Sequence, residues 1–238
     1  MNDTVSNNIV RVEGLKHFST DDVQIKECPV SLMLKGVELT RTVITASDDE
    51  AKKLWALGCL KCGGSIEKFD DVGGIDIEED KVYVRAKNKF SSICVEPVKV
   101  LWSTKAGIIF DAVRSLGDAP LFIATGGVHV AALFDPEGQR LFEAEDIGRH
   151  NTVDKAIGWA LTRNVDLSGV MLITSGRMPK DMVAKAWMAG IGLMASVSAA
   201  SADGIDTARL ANITLAGFVR GDRMNIYADS DPSRIELR

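Results

Sequence analysis

Residues 124–158 read ATGGVHVAALFDPEGQRLFEAEDIGRHNTVDKAIG and combine histidines, carboxylates and cations with glycines. His129 and His150 fall inside this stretch, and Glu145 and Asp146 precede its glycine turn. Ionisable side chains at this density, beside glycines that free the backbone, are unusual for a segment that only fills a core. The stretch therefore predicts one wall of an anion-binding or catalytic cleft.

Strand and helix patterns alternate on both sides of this stretch, from residue 101 to the C-terminus. Alternation over about 130 residues predicts a layered α/β domain with a central sheet. The predicted helices cover residues 103–117, 151–163, 179–189 and 205–210, and the predicted strands cover residues 128–134, 170–174, 192–197, 213–219 and 224–227.

The first half of the chain is predicted to be rich in strands, with one helix. Its predicted elements are a strand at 9–12, a hairpin at 29–45, a helix at 51–62 opened by a Ser47–Glu50 capping box, and a strand pair at 72–77 and 81–85. Pro97 interrupts the segment that follows. We therefore predict a strand-rich domain over residues 1–100 and an α/β domain over 101–238.

Composition limits the classes of function. The chain has 238 residues, 46% of them hydrophobic, and a net charge of −5, which argues against nucleic-acid binding. It has no apolar run of about 18 residues, so no membrane span is predicted. Four cysteines without a secretory signal indicate a reducing, cytoplasmic environment.

The predicted strand 170–174 is followed by Ser175, Gly176 and Arg177, and then by a predicted helix. A strand, a glycine turn and a helix N-terminus present free N–H groups to an anion, and an arginine adds a bidentate donor. The pattern is equally typical of a plain turn with a solvated arginine.

A second candidate loop contains Phe218, Val219, Arg220, Gly221, Asp222 and Arg223. It offers an aromatic face, two guanidinium groups and an acceptor, a set that suits a nucleotide base with its phosphates. An ordinary hairpin with exposed charges is the alternative interpretation.

The cysteines indicate no metal site. Cys59 and Cys62 have CxxC spacing, but a structural zinc site needs four ligands and no second pair follows. These two side chains are interpreted as core thiols at a helix end. Cys94 lies in an irregular segment, where it could act as a nucleophile or sulfur carrier, or be a buried apolar residue.

A zinc deaminase is excluded because Ala131 replaces the glutamate that follows the histidine in H-x-E.

Four further expectations concern the glycine turn and the helix after it. Asp146 and Arg149 are expected to form a charge pair across the turn, and Asn151 is expected to begin the helix. His150 should have a lowered pKa because of the helix dipole. Lys155 is expected to face solvent or ligand.

Five stretches together resemble the successive signature blocks of the FdhD family, the formate dehydrogenase accessory sulfurtransferases. They are TGGVHVAALFD (125–135), EDIGRHNTVDKAIG (145–158), TSGRMPKDMVAKA (174–186), SVSA (196–199) and GFVRGDRMNIY (217–227). The resemblance is strong from residue 125 to 227 and weaker before it.

The resemblance implies a strand-rich N-terminal part, a three-layer C-terminal domain of cytidine-deaminase-like fold, and a cytoplasmic homodimer. It implies that sulfur is taken from a cysteine desulfurase and passed to the molybdenum of bis(molybdopterin guanine dinucleotide), which formate dehydrogenase requires. Guanine nucleotide would mimic that ligand. The residues implied to bind it are those of the loop 218–223, together with Ser175, Gly176, Arg177 and His129.

The sulfur-carrying loop departs from the family pattern. Where the family has SS-C-G-x-C-G, this chain has SSICVEP at 91–97, so that only Cys94 remains, one position out of register. Sulfur transfer through Cys94 is therefore one hypothesis, and a relocated pair at Cys59 and Cys62 ranks below it. A cofactor-binding carrier or chaperone that has lost sulfur transfer is the second hypothesis. An unrelated nucleotide hydrolase using His129, Asp146 and His150 is the third.

Overall fold

The computed structural model describes residues 3–45, 48–87, 96–229 and 231–237. The strands are β1 (Thr4–Glu13), β2 (Lys16–Ile25), β3 (Cys28–Leu34), β4 (Val37–Ile44), β5 (Val72–Glu78), β6 (Lys81–Ala86), β7 (Thr104–Lys105), β8 (His129–Phe134), β9 (Arg140–Asp146), β10 (Met171–Thr174), β11 (Leu193–Ser196), β12 (Thr214–Arg220), β13 (Arg223–Ala228) and β14 (Ile235–Glu236). The helices are α1 (Asp49–Cys62), α2 (Ala106–Ser115), α3 (Pro120–Thr125), α4 (Arg149–Thr162), α5 (Lys180–Ala189) and α6 (Ala202–Ala211).

The C-terminal part is built on a mixed sheet in the order β13-β12-β11-β10-β8-β9. Strands β10, β11 and β12 run parallel, and β8, β9 and β13 pair antiparallel with their neighbours. The parallel strands are connected through α5 and α6, as crossover connections require. These connections bring the turns that follow β10 and β11 to the same edge of the sheet.

Alternating side chains of β10 face two different helical layers. Leu172 is buried with residues of α4, α5 and α6, whereas Met171 and Ile173 are buried with residues of α2. Successive side chains of a strand point to opposite faces, so a strand covered on both faces reads as a continuous apolar run. The C-terminal part therefore has three layers, with the sheet in the middle.

The N-terminal part contains a sheet in the order β4-β3-β6-β5, packed against α1, and a separate hairpin of β1 and β2. Trp55 and Leu57 of α1 are buried against Leu32 and Val82 of the sheet. The mixed α/β class with a smaller strand-rich N-terminal part is confirmed. The exact domain boundary near residue 100 stays a prediction.

Helix α3 and the strands β2, β7, β9 and β14 were not predicted, and the length of β1 was underestimated. Strand β9 lies within the opening stretch, and helix α3 ends two residues into it. The predicted strand at 9–12 lies in the second half of the ten-residue strand β1. Helix α3 has Pro120 at its first position and ends at Gly126, whose φ of 62° is left-handed. This proline-to-glycine spacing is itself a helix signal.

The residues predicted to open two of the helices were wrong. Helix α1 is capped by Asp48, whose side chain accepts a hydrogen bond from the N–H of Ala51. Ser47 lies outside the described residues. Helix α4 begins at Arg149 with Gly148 as its N-cap, so Asn151 lies inside the first turn. Asn151 resembles a capping residue in the sequence, but its side chain bonds Asp146 and the carbonyl of Val43 instead.

None of the helices within the described ranges combines the length and the apolar character that a membrane crossing requires.

Candidate functional site

Ser175 lies at the end of β10 and connects two neighbouring strands of the sheet. Its Oγ accepts a hydrogen bond from the N–H of Val130 at 2.9 Å and lies 3.2 Å from Nδ1 of His129. Its carbonyl accepts a bond from the Ser198 hydroxyl, which follows β11. The two serines and His129 are thereby fixed at one edge of the sheet.

A cavity of about 290 Å³ opens beside Ser175, between the sheet and the helices α2 and α3. Its apolar lining includes Phe110, Val113, Phe122, Val130, Val197 and Val219, and its polar lining includes Ser175, Arg114 and Arg220. We call it the Ser175 cavity. Apolar walls with a few polar groups are typical of a small-molecule site.

The predicted loop 218–223 forms one side of this cavity. Val219, Arg220 and Gly221 line the cavity, and Gly221 has a φ of 62° in the turn between β12 and β13. The cavity therefore brings together Val130 from the stretch 124–158, the turn after β10 and the loop after β12. The other loop residues, Phe218, Asp222 and Arg223, are exposed and do not line it.

Phe218 has an unusual backbone conformation at this edge. Its φ is 49°, in the left-handed region that bulky residues rarely adopt, and its N–H donates to the Ser198 carbonyl. A β-carbon on the preceding Gly217 would lie 2.8 Å from that same carbonyl oxygen. Strained backbone of this kind costs roughly 1–3 kcal/mol and clusters at binding sites.

Positive charge accumulates around His129. Burial, followed by the charges of Arg149 and Arg177, lowers the pKa of its imidazole. Among the described residues no carboxylate lies within ion-pair distance of Arg149, Arg177, Arg220 or Arg223. Asp146 acts in the opposite direction, but it is already paired with Lys155, so the arginines without an ion pair favour an anionic ligand.

His150 has a lowered pKa, as predicted, but burial is the main cause. Its Nε2 lies 2.9 Å from Oδ2 of Asp181 on α5, and this carboxylate opposes the shift. His150 thus contacts the neighbouring helix.

The expected charge pair between Asp146 and Arg149 is not formed. Asp146 is fully buried and pairs with Lys155, whose Nζ lies 2.6 Å from Oδ2. Lys155 is itself buried, so the expectation that it faces solvent or ligand was wrong. Lys155 lies nearly two helical turns after Arg149, and its long side chain reaches back to the Asp146 carboxylate.

Asp146 also ties the glycine turn to the N-terminal part. Its side chain accepts hydrogen bonds from the N–H of Gly148 and the N–H of Thr45, which follows β4. Lys155 donates to the Thr45 carbonyl at 2.5 Å. Asp146 therefore holds the start of α4 in place. It is the cross-strand neighbour of His129, but its carboxylate bonds Gly148, Thr45 and Lys155 rather than the imidazole.

Glu145 orients one wall of the Ser175 cavity. Its carboxylate accepts hydrogen bonds from the N–H groups of Leu121 and Phe122 in the first turn of α3. A carboxylate at a helix N-terminus satisfies free donors there and complements the dipole. Phe122, which lines the cavity, was missed in the sequence because α3 was missed.

Cys59 and Cys62 lie at the end of α1 beside a buried ion pair. Cys59 Sγ donates to Asp154 at 3.4 Å, and Lys185 lies 2.6 Å from the same carboxylate. Burial and Asp154 raise the pKa of both thiols well above its usual value. These thiols are therefore protonated at neutral pH, which supports the prediction of core thiols.

Cys94, the predicted sulfur-carrying residue, lies outside the described residues. The chain is described again from Glu96, whose carbonyl accepts a hydrogen bond from the indole of Trp187 on α5.

Comparison with known proteins places this architecture in a family. Residues 91–236 match the model of the FdhD/NarQ family. The protein named sulfur carrier protein FdhD from Wolinella succinogenes is 35% identical, covering 92% of this chain and 84% of its own length. The protein of the same name from Streptomyces coelicolor is 32% identical, covering 97% of this chain and 95% of its own length.

A solved structure has the same fold. It is described as a putative formate dehydrogenase accessory protein from Desulfotalea psychrophila, with a TM-score of 0.83 and 23% sequence identity. The match covers 98% of this chain and 99% of that one. Because the family model matches and the relatives align over most of their length, the chain belongs to the FdhD/NarQ family.

Proposed function

We propose that this chain is a sulfur carrier that serves the maturation of formate dehydrogenase. Cys94 accepts sulfur from a cysteine desulfurase, and the protein delivers it to molybdenum bound to bis(molybdopterin guanine dinucleotide). The names of the relatives support the carrier role. A cytoplasmic location and a homodimer belong to the same proposal and rest on the family resemblance.

The first step is an exchange between a persulfide and a thiolate. The thiolate of Cys94 attacks the outer sulfur of the donor's persulfide, so that a new S–S bond forms on Cys94. The old S–S bond breaks and the donor leaves as a thiolate. One S–S bond forms as another breaks, so the exchange needs no external oxidant.

The observation that carries the cofactor part of the proposal is the convergence of Ser175 and Arg220 on one cavity. At about 290 Å³ the cavity is at the lower end of the range of roughly 300–1,000 Å³ for small-molecule sites. Its apolar walls suit one planar ring system, such as guanine. Arg220, which has no ion pair among the described residues, supplies charge at its edge.

The second candidate is a carrier or chaperone of the same cofactor that has lost sulfur transfer. It is favoured by the loop sequence, in which Ile93 and Glu96 stand where family cysteines are expected. Both candidates share the cofactor site and differ only in the chemistry of Cys94.

The test is the activation of an inactive formate dehydrogenase supplied with desulfurase, cysteine and cofactor. Wild-type protein should restore formate oxidation. Cys94→Ala should abolish it without weakening guanosine diphosphate binding. Arg220→Gln should weaken that binding about ten-fold, because a hydrogen bond to a charged group is worth roughly 1.5–3 kcal/mol. Arg209→Gln, at an exposed site on α6, is the matched control.

If Cys94→Ala activates as well as wild type, the carrier role of Cys94 is wrong. Equal binding by Arg220→Gln and Arg209→Gln would contradict the assignment of the cavity.

A further inference from the structure

Arg149 is the first residue of α4, a helix of 14 residues. The N-cap is Gly148, which has no side chain with which to satisfy the free N–H groups of the first turn. Asp146, the nearest carboxylate, is occupied by Gly148, Thr45, Asn151 and Lys155. Asp146 bonds the N-cap, but the N–H groups of Arg149, His150 and Asn151 have no hydrogen-bond partner among the described residues and can face a ligand anion.

The aliphatic part of the Arg149 side chain packs against Gly176 in the turn that follows β10. A β-carbon on Gly176 would lie 2.9 Å from Cβ and 3.2 Å from Cδ of Arg149. The arginine can occupy this position only because residue 176 is a glycine. The contact brings Arg149 beside Ser175 and Arg177, the residues on either side of Gly176.

The guanidinium of Arg149 carries a donor with no acceptor. Its Nε is buried and has no hydrogen-bond partner among the described residues. A buried donor without a partner costs roughly 1–3 kcal/mol, so native structures normally provide an acceptor. Here a ligand oxygen would provide it.

Neither of the two carboxylates near Arg149, those of Asp146 and Asp181, forms an ion pair with it. The positive charges of Arg149 and Arg177 both lower the pKa of the His129 imidazole. The carboxylate of Asp181 contacts His150 rather than either arginine. A ligand with two or more negative charges would neutralise this cluster.

We propose that Arg149, Arg177 and the first turn of α4 form a subsite for a diphosphate group, next to the Ser175 cavity. The inference deepens the proposed function and rests on it for the identity of the whole ligand, a nucleotide whose ring occupies the cavity. The sequence placed Arg149 in a predicted cleft wall but assigned it a charge pair with Asp146, whereas here it binds the ligand itself. The planar guanidinium of arginine suits two phosphate oxygens at once.

The experiment measures binding of inorganic pyrophosphate by calorimetry to the full chain and to two variants. Arg149→Gln removes the charge and should weaken pyrophosphate binding at least ten-fold. Arg163→Gln, an exposed arginine at the other end of α4, is the matched control and should bind as wild type. Binding of guanosine, which has no phosphate, should be the same in all three proteins.

A second variant at the same position controls for the possibility that Arg149→Gln misfolds. Arg149→Lys keeps the positive charge but loses the paired N–H donors of the guanidinium. Its affinity for pyrophosphate should lie between those of wild type and Arg149→Gln, with an unchanged unfolding temperature. The subsite is wrong if Arg149→Gln binds pyrophosphate as wild type does, or if wild type does not bind it. Failure of sulfur transfer with pyrophosphate binding intact would overturn the proposed function alone.

Discussion

Gly58 of α1 lies against the backbone of Asp154 of α4, so closely that a β-carbon on Gly58 would come within 1.9 Å of the Asp154 carbonyl oxygen. The reverse contact is equally tight, because a β-carbon on Gly158 would lie 1.9 Å from the Leu54 carbonyl oxygen. Two glycines thus let a helix of the N-terminal part touch the helix that starts at the candidate site. The two parts of the chain share a core at this crossing.

Gly58→Ala should destabilise the protein by more than about 3 kcal/mol, because the clash is with backbone that has no rotamer to adjust. Gly107→Ala is the control, since that helical glycine has free space around it and alanine favours helix. Urea unfolding measures both free energies. Similar free energies of unfolding for the two variants would show that α1 and α4 can move apart without loss of stability.

Lys155→Met should lower the free energy of unfolding by about 3–5 kcal/mol, because it leaves the Asp146 carboxylate buried and unpaired. The double variant Asp146→Asn with Lys155→Met should regain part of the loss. Arg209→Met breaks an exposed pair with Asp206 and should change stability by less than about 1 kcal/mol. Equal effects of Lys155→Met and Arg209→Met in chemical unfolding would contradict the role of the buried pair.

Cys59 and Cys62 should react slowly with iodoacetamide in the native protein. Their pKa values are raised by burial and by Asp154, so the reactive thiolate is scarce at pH 8. Peptide mass spectrometry after brief labelling should find them at least ten-fold less modified than in urea. Rapid native labelling of this pair would instead favour the relocated-pair hypothesis.

Pyrophosphate binding should strengthen as the pH falls through the range in which His129 titrates. Burial and two arginines lower the pKa of His129 in the free protein, and a bound anion would raise it. Binding therefore takes up a proton, and affinity decreases as pH rises through the pKa of the bound state.

The His129→Gln variant provides the reference for this measurement. The ligand titrates in the same way with both proteins, so the difference between their pH slopes reports the histidine. The expected difference is at most about ten-fold in affinity per pH unit, the limit for one proton. Parallel slopes would exclude His129 as the coupled group.

The sequence was sufficient to predict the layered C-terminal part, because its strands and helices have clear hydrophobic periodicity and glycine or proline at their ends. It also indicated the turn after β10 and the loop after β12 as candidate binding segments, each with a structural alternative, and both line the Ser175 cavity. Both follow parallel strands, whose ends lie at the same edge of the sheet.

The partners of charged residues could not be predicted in the same way. Asp146 lies three residues from Arg149, yet its charge partner is Lys155, and its hydrogen bonds to Thr45 cross about 100 residues of sequence. These contacts depend on how β4 meets α4, which local patterns do not encode. Helix α3 was missed for a different reason, since its six residues are too few to show periodicity.

The central claim is that Cys94 carries sulfur, and locating a persulfide tests it most directly. The full chain is incubated with a cysteine desulfurase and cysteine and is then digested. The masses of its peptides are measured by mass spectrometry. We predict one added sulfur atom on the peptide containing Cys94 and none on those containing Cys59 and Cys62. Added sulfur on the Cys59 and Cys62 peptide, or on no peptide while guanosine diphosphate still binds, would contradict the account.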